Sequence, residues 1–349
     1  MWSFFDSQAN IRVEWISVPL YEAICQIVCR ATNRMFVGLP VCRDRDYIRL
    51  NIDFSHSVCL CACLINHGPA FLKSILGTIL TPRNRALAKM KKFLGSTIRE
   101  RLQQQSVHGK NWPDNSNDLL SWCLDASDDD EKRCTIPDLS IRTLSVNMAA
   151  IHTISEAFTT VLYAVAAHPE YVQTLRSEVE SVIEEEGCTK VAMSKMVQLD
   201  SFMMEAQRVY GGIGVFGMRR VARKDFIFSD GTLVPAGSYI VVPAFSTNMD
   251  ERSYKDPLEF KPWRFSERSD NGKHPQMVSP GVDFMFFGYG RHQCTGRFLA
   301  VIELKIMMSH ILLNFDVKMM DKVPPPIWIS EYPFIGSGKV LFRKRVRTP

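Results

Sequence analysis

Residues Phe284 to Ala300 read FMFFGYGRHQCTGRFLA, with Phe287, Gly288, Gly290, His292, Cys294 and Gly296 at fixed steps around one cysteine. A cysteine that ligates a metal must carry a thiolate and leave room for whatever it binds. Gly288 and Gly290 allow backbone conformations and a close approach that a Cβ would block, and Gly296 does the same on the far side. The helix expected from Gly296 onward turns its unpaired N–H groups toward the sulfur, which favours negative charge there. Phe287 is placed to pack against the sulfur or its partner. A lone cysteine between glycines would otherwise be an inert thiol before a helix.

The composition sets the outer limits. A chain of 349 residues, 46% apolar and 23% charged, is globular and builds one large domain or two ordinary ones. Lysine plus arginine exceed aspartate plus glutamate by 42 to 37, too mild an excess for a dedicated nucleic-acid binder. The ten cysteines are scattered, without paired CxxC motifs or a C-x-x-C-H site, and no secretory leader is read at the start. A reduced, cytosol-facing compartment is expected. The most apolar stretch, Val58 to Leu80, is interrupted by Asn66, His67, Gly68, Pro69 and Lys73. It is too broken for a span, which needs roughly 20 apolar residues, and reads as a buried helix, a turn and an amphipathic helix.

Outward from the cysteine, helical spacing dominates residues Trp15 to Leu102, broken at Pro40, Pro69 and Pro82 into four or five helices. Ser106 to Cys134, with the run Asp128 to Glu131, reads as surface helix or loop. Pro137-Asp138 opens a helix of about 30 residues, with Asp138 as cap, long beside the three-turn average. His168-Pro169 ends it, and helices follow over Glu170–Glu186 and Leu199–Tyr210. After Gly211 come short strands with a hairpin at Asp230-Gly231, then an irregular stretch over Ser266–Asp283, the helix Gly296–Asn314, and strands around Gly336 to Gly338. The expected fold is mainly α with a minor β part, in one domain over residues 1–349.

F-G-x-G-R-H-x-C-x-G, Phe287 to Gly296, resembles the haem-binding signature of the cytochromes P-450 in its fungal form. The resemblance implies Cys294 as the axial ligand of haem b (iron protoporphyrin IX), within a pocket contributed by Phe287, Gly288, Gly290 and Gly296. His292 stands where the family commonly has an arginine, and Thr295 where proline is frequent; Arg291 or His292 would serve a haem propionate. Two further motifs lie in family order. Glu205 and Arg208 in E-A-Q-R share a helix face, and FKPWRF supplies Arg264, with Trp263 as a departure. The resemblance implies that these three build a structural network behind the haem. Arg220, in RRVARKD, is the candidate for a second propionate contact. Ala149-Ala150-Ile151-His152-Thr153 matches the helix over the distal face, where small residues make room for dioxygen. Thr153 then holds the water that protonates it, and His152, in place of an acid, relays protons.

Cys59, Cys61 and Cys63 alternate in a helical run, which scatters their side chains and argues against a metal site. Arg343, Lys344, Arg345 and Arg347 read as a solvated strand and tail. The resemblance implies a monooxygenase that inserts one atom of O2 into an apolar small molecule, with electrons from an NADPH-dependent flavoprotein reductase. Val58–Leu80, Val146–Thr153, Gly212–Phe216 and Phe334–Gly338 would line the substrate pocket. The fungal form suggests secondary metabolism. A monomer at the endoplasmic reticulum surface is expected by resemblance, or in the cytoplasm for want of a span. The resemblance starts near Val13, so the family's anchor, first strands and first helices are expected to be absent. A truncated, non-catalytic paralogue or an incomplete gene product is the alternative expectation.

Overall fold

The computed structural model describes residues 14–109, 116–126, 135–211, 217–268, 274–279, 281–329, 332–336 and 338–345. The acidic run Asp128 to Glu131, the segment Gly212–Phe216 and Arg347 lie outside the described residues. The architecture is mainly α with a minor β part, in two compact units that α6 below runs through.

Residues 21–155 make the first unit. Its helices are α1 (Leu20–Phe36), α2 (Arg45–His67), α3 (Lys73–Leu80), α4 (Arg83–His108), α5 (Leu119–Asp125) and the first part of α6 (Ile136–Ala167). The breaks fall at Gly38–Pro40, Gly68–Pro69 and Thr81–Pro82, as the prolines predict. Side chains start α2, α5 and α6. Asp44 accepts from the backbone N–H of Asp46 and Tyr47, each at 2.9 Å, and so caps α2. Asp118 caps α5 through Ser121 N–H at 3.1 Å, and its carboxylate takes two bonds, 2.5 and 2.7 Å, from buried Arg101. On α6 the cap is Thr135, whose hydroxyl accepts from Asp138 N–H at 3.3 Å. Asp138 therefore sits in the first turn, where a negative charge faces the helix's positive end, rather than in the capping position.

Tertiary bonds tie these helices together. Asn33 donates to the Asn147 side chain at 2.6 Å, and the Tyr47 hydroxyl donates to Asn33 Oδ1 at 2.7 Å, all buried. Burial raises the Tyr47 pKa. The stretch Val58–Leu80 forms helix, turn and helix, but its apolar residues are not covered. No residue of α3 is buried, and Leu60, Leu64, Phe71, Ile75 and Ile79 are exposed. Among the described residues one helix, α6, is long and apolar enough to cross a membrane, and 67% of its apolar window is buried inside the protein.

Residues 14–20 and those from Glu156 onward make the second unit. Its elements are β1 (Ile16–Pro19), the rest of α6, α7 (Val172–Glu186), α8 (Lys190–Lys195), α9 (Val197–Tyr210), β2 (Gly217–Val221), β3 (Phe226–Ile227), β4 (Leu233–Val234), β5 (Tyr239–Val242) and α10 (Ala244–Asn248). After the irregular stretch come α11 (Arg297–Asn314), β6 (Phe315–Met319), β7 (Ile327–Ile329), β8 (Tyr332–Phe334) and β9 (Lys339–Lys344). β1, β9 and β6 form an antiparallel sheet, with Ser17 opposite Leu341 and Val317 opposite Phe342. β1 pairs with a strand more than 300 residues away, so its four residues carry no local sign of a partner. β2 pairs with β5, β3 with β4 and β7 with β8. The predicted hairpin turns at Gly231, φ +89°, with Asp230 accepting from Thr232 N–H at 2.9 Å.

α9 is buried on all sides from Leu199 to Arg208, and polar partners make that possible. Glu178 of α7 accepts from Gln198 and Leu199 N–H at 2.7 and 2.8 Å, capping α9. Buried Lys305 of α11 pairs with Asp200 at 2.7 Å and donates to Met193 O at 2.9 Å. The basic C-terminal strand is not merely solvated. Arg343 pairs with Asp316 at 2.9 Å and lies over the Trp15 ring, and Arg345 reaches Glu180 at 2.6 Å.

Candidate haem-thiolate site

The cysteine loop is held by its own backbone. Gly288 N–H donates to Met285 O at 2.8 Å, Gln293 N–H to Gly290 O at 3.1 Å and Cys294 N–H to Phe287 O at 2.8 Å. Gly288 and Gly290 adopt φ of +74° and +73°, where a side chain would strain the backbone. Cys294 is a free, exposed thiol. A Cβ on Gly290 would meet nothing within 4 Å, and one on Gly296 would lie 3.8 Å from the Cys294 sulfur. The loop thus presents an open sulfur on a smooth backbone face. α11 begins immediately after, with Gly296 as a cap that supplies no side chain, so its first N–H groups face the cysteine turn. This fits a large flat cofactor with a thiolate ligand.

Two supports hold the loop. Arg297 donates to Cys294 O at 2.8 Å and to Val278 O at 3.1 Å. Aromatic contacts run from Phe287 to Phe286 (4.7 Å), Phe284 (6.2 Å) and Phe265 (5.3 Å), the last residue of FKPWRF. Arg291, His292 and, on β2, Arg220 are exposed, and none pairs with a carboxylate among the described residues. Among the described residues Arg220 donates to Arg219 O, at 2.7 Å.

Behind Phe265 the Glu205, Arg208 and Arg264 side chains meet. Arg208, 0% exposed, grips both Glu205 oxygens at 2.7 and 2.8 Å. Its remaining donors reach Asn248 O (2.7 Å), Pro257 O (2.6 Å) and Glu259 O (3.1 Å). Arg264 Nε bridges the same carboxylate at 3.1 and 3.2 Å, and its Nη1 donates to Lys255 O at 2.6 Å. Tyr254, buried, lies under both guanidinium groups at 4.9 and 5.7 Å, and its hydroxyl donates to Asp283 O at 2.9 Å. Sequence spacing picks out the three charged residues. Tyr254 and Arg297 carry no such signal, because their partners are set by loops rather than by a period.

On α6, Ser145, Ala149 and Thr153, four apart, form an open stripe in the first unit. Thr153 Oγ1 donates to Ala149 O at 2.7 Å. His152 is half-buried and tied at both ring nitrogens. Nε2 faces Ile52 O at 3.4 Å, and Nδ1 accepts from the Tyr21 hydroxyl at 3.0 Å, which assigns the Nε2–H tautomer. The His56 ring stacks on it at 4.5 Å. Burial, then the neighbouring His56, pulls the His152 pKa down to about 4, against the opposing bond to Ile52. At neutral pH His152 is an uncharged link between α1, α2 and α6.

The chain matches the family described as Cytochrome P450 over residues 12–335. It is 41% identical over 339 residues to Cytochrome P450 monooxygenase 151 of Postia placenta, covering 95% of this chain and 68% of that protein. It is 31% identical over 317 residues to Cytochrome P450 monooxygenase CYP512U6 of Ganoderma lucidum, covering 90% and 62%. It is 30% identical over 318 residues to Ent-kaurene oxidase P450-4 of Gibberella fujikuroi, covering 88% and 61%.

Proposed function

The chain belongs to the cytochrome P450 family of haem-iron monooxygenases, and from that premise we propose that Cys294 is its thiolate ligand to haem b and that its substrate is an apolar small molecule. The observation that carries this is the open cysteine loop, with its sulfur exposed between two left-handed glycines and the start of α11. Once bound, haem iron supplies the activation of dioxygen. The chain's own residues do the rest. Cys294 provides the ligand, with negative charge favoured by the facing N–H groups of α11. Phe287 and the glycines accept the macrocycle's face. Arg291, His292 and Arg220 stand as propionate partners, since each is an exposed cation or hydrogen-bond donor without a carboxylate of its own. Thr153 presents a hydroxyl on the open stripe of α6, able to hold or pass a proton.

Glu205, Arg208 and Arg264 fix the scaffold. Electrons come from an NADPH-dependent flavoprotein reductase, and the enzyme works as a monomer at the endoplasmic reticulum surface. An apolar substrate is supported by the uncovered α3 face and the mostly apolar Phe334–Gly338 segment. One relative is named for ent-kaurene, a diterpene, which supports terpenoid chemistry in fungal secondary metabolism.

The test is to express the chain with haem supplied and record the carbon monoxide spectrum after reduction. A red-shifted Soret band of thiolate ligation, lost in Cys294→Ser, is expected. Failure to take up haem overturns the proposal.

A further inference from the structure

Where α6 enters the second unit, a cavity of ≈ 30 Å³ lies against Glu156, Tyr163 and Tyr210, with Pro324, Pro326 and Phe334 among its walls. That volume has room for a water-sized polar group. Its polar side chains are not equally engaged. The Tyr163 hydroxyl donates to Gly336 O at 3.0 Å and accepts from Gly338 N–H at 2.8 Å, so it is saturated. Tyr210 meets His168 Nε2 at 2.9 Å, and Thr160 donates back to Glu156 O at 3.0 Å. The Glu156 carboxyl makes no hydrogen bond among the described residues. The carboxyl is partly open to solvent beside prolines and a phenylalanine, so a ligand hydroxyl there would replace water as its partner.

We propose that this cavity receives the hydroxyl end of an apolar substrate, with Glu156 as the group that recognises it. The proposal rests on the monooxygenase reading and adds the substrate class: an apolar body carrying one alcohol. The walls take the body, and the cavity admits only its polar tip. Burial pushes the Glu156 pKa up to about 7, so both protonation states are populated near neutrality. A hydroxyl pairs with either, donating to the carboxylate or accepting from the acid. A ketone or ether pairs only with the acid, and an ammonium only with the carboxylate. The other titratable groups on the cavity wall are Tyr163 and Tyr210, with His168 behind Tyr210, and no lysine or arginine lines it.

The test titrates the haem-loaded chain calorimetrically with 1-decanol and with decyl methyl ether at pH 6 and pH 8. The alcohol is expected to bind about tenfold tighter at pH 8, the size of one hydrogen bond to a charged group. At pH 6 the gap narrows, because the protonated carboxyl can donate to the ether. Glu156→Leu should abolish the preference at both pH values, while Glu156→Gln, whose amide can donate and accept, retains part of it without the pH dependence. Equal affinities at pH 8, no binding of the alcohol, or an unchanged preference in Glu156→Leu would overturn the proposal. A resident water shielding the carboxyl would give the first of these. The carbon monoxide spectrum of the same preparation separates the two readings: a missing thiolate band with an intact Glu156-dependent preference sinks the monooxygenase proposal alone.

Discussion

The Glu205–Arg208–Arg264 cluster and the Cys294 loop belong to the same unit and are opposites. In the cluster a single carboxylate and two guanidinium groups are out of water, and backbone carbonyls take up the donors that Glu205 leaves over. At the loop the sulfur is exposed and bound to no other side chain among the described residues. Buried charge is tolerable only when fully paired, whereas a ligand must be left unpaired by the protein that carries it. The chain therefore puts its charge network where it fixes geometry, and leaves the Cys294 sulfur open. The aromatic series from Phe265 to Phe287 connects one to the other.

The contrast can be broken by mutation. Arg208→Ala should leave buried Glu205 with Arg264 alone of its two guanidinium partners and cost about 3–5 kcal/mol, read as a loss of folded protein or a much lower denaturation midpoint. A mild loss would mean the cluster is hydrated. Glu205→Gln should cost less, since the amide keeps some bonds, and that ranking checks that charge, not shape, dominates.

Between the extremes lie His152 and Glu156, one turn apart on α6 and titrating in opposite senses. His152 is held neutral, so the unfolded chain binds more protons than the folded one between about pH 4 and 6.5. Its contribution, about 2–3 kcal/mol, is full above 6.5 and is lost as pH falls through that window. Glu156 is held protonated, so its contribution is full below its ordinary 4.5 and is lost as pH rises toward 7. Urea unfolding at pH 5 and 7.5 should show His152→Phe removing a stability gain with rising pH, and Glu156→Gln removing a loss. The same slope in wild type and variant would refute either assignment.

The smallest stability effects belong to the open positions. Thr153→Ala and Cys294→Ser should each shift stability by no more than about 0.5 kcal/mol, as for other exposed sites. Cys294→Ser should nonetheless abolish the thiolate Soret band, and that separation of stability from spectrum sharpens the comparison most. A large loss of stability in the apoprotein on Cys294→Ser would mean the sulfur is structural.

Much of this was readable in the residues. FGYGRHQC puts glycines where the backbone needs freedom beside a cysteine before a helix, and Gly288 and Gly290 use it by adopting positive φ. The proline breaks, the long α6 and the Asp230-Gly231 hairpin followed from local propensity. Other features did not. The short β1 has its partner at the far end of the chain, and α8 was hidden in a loop around Gly187. The Val58–Leu80 stretch looked like a segment to bury, yet its apolar face is open.

The sequence by itself determined the family and the helical class and singled out Cys294 as the candidate ligand, because these rest on residue types at short, fixed spacings whose backbone demands are local. Only the tertiary structure decided which polar groups have partners: Tyr254 under two arginines, Lys305 on Asp200, His152 tied at both nitrogens, the Glu156 carboxyl with none among the described residues. Pairing depends on the few ångströms separating groups that lie tens or hundreds of residues apart, and no local period encodes that distance.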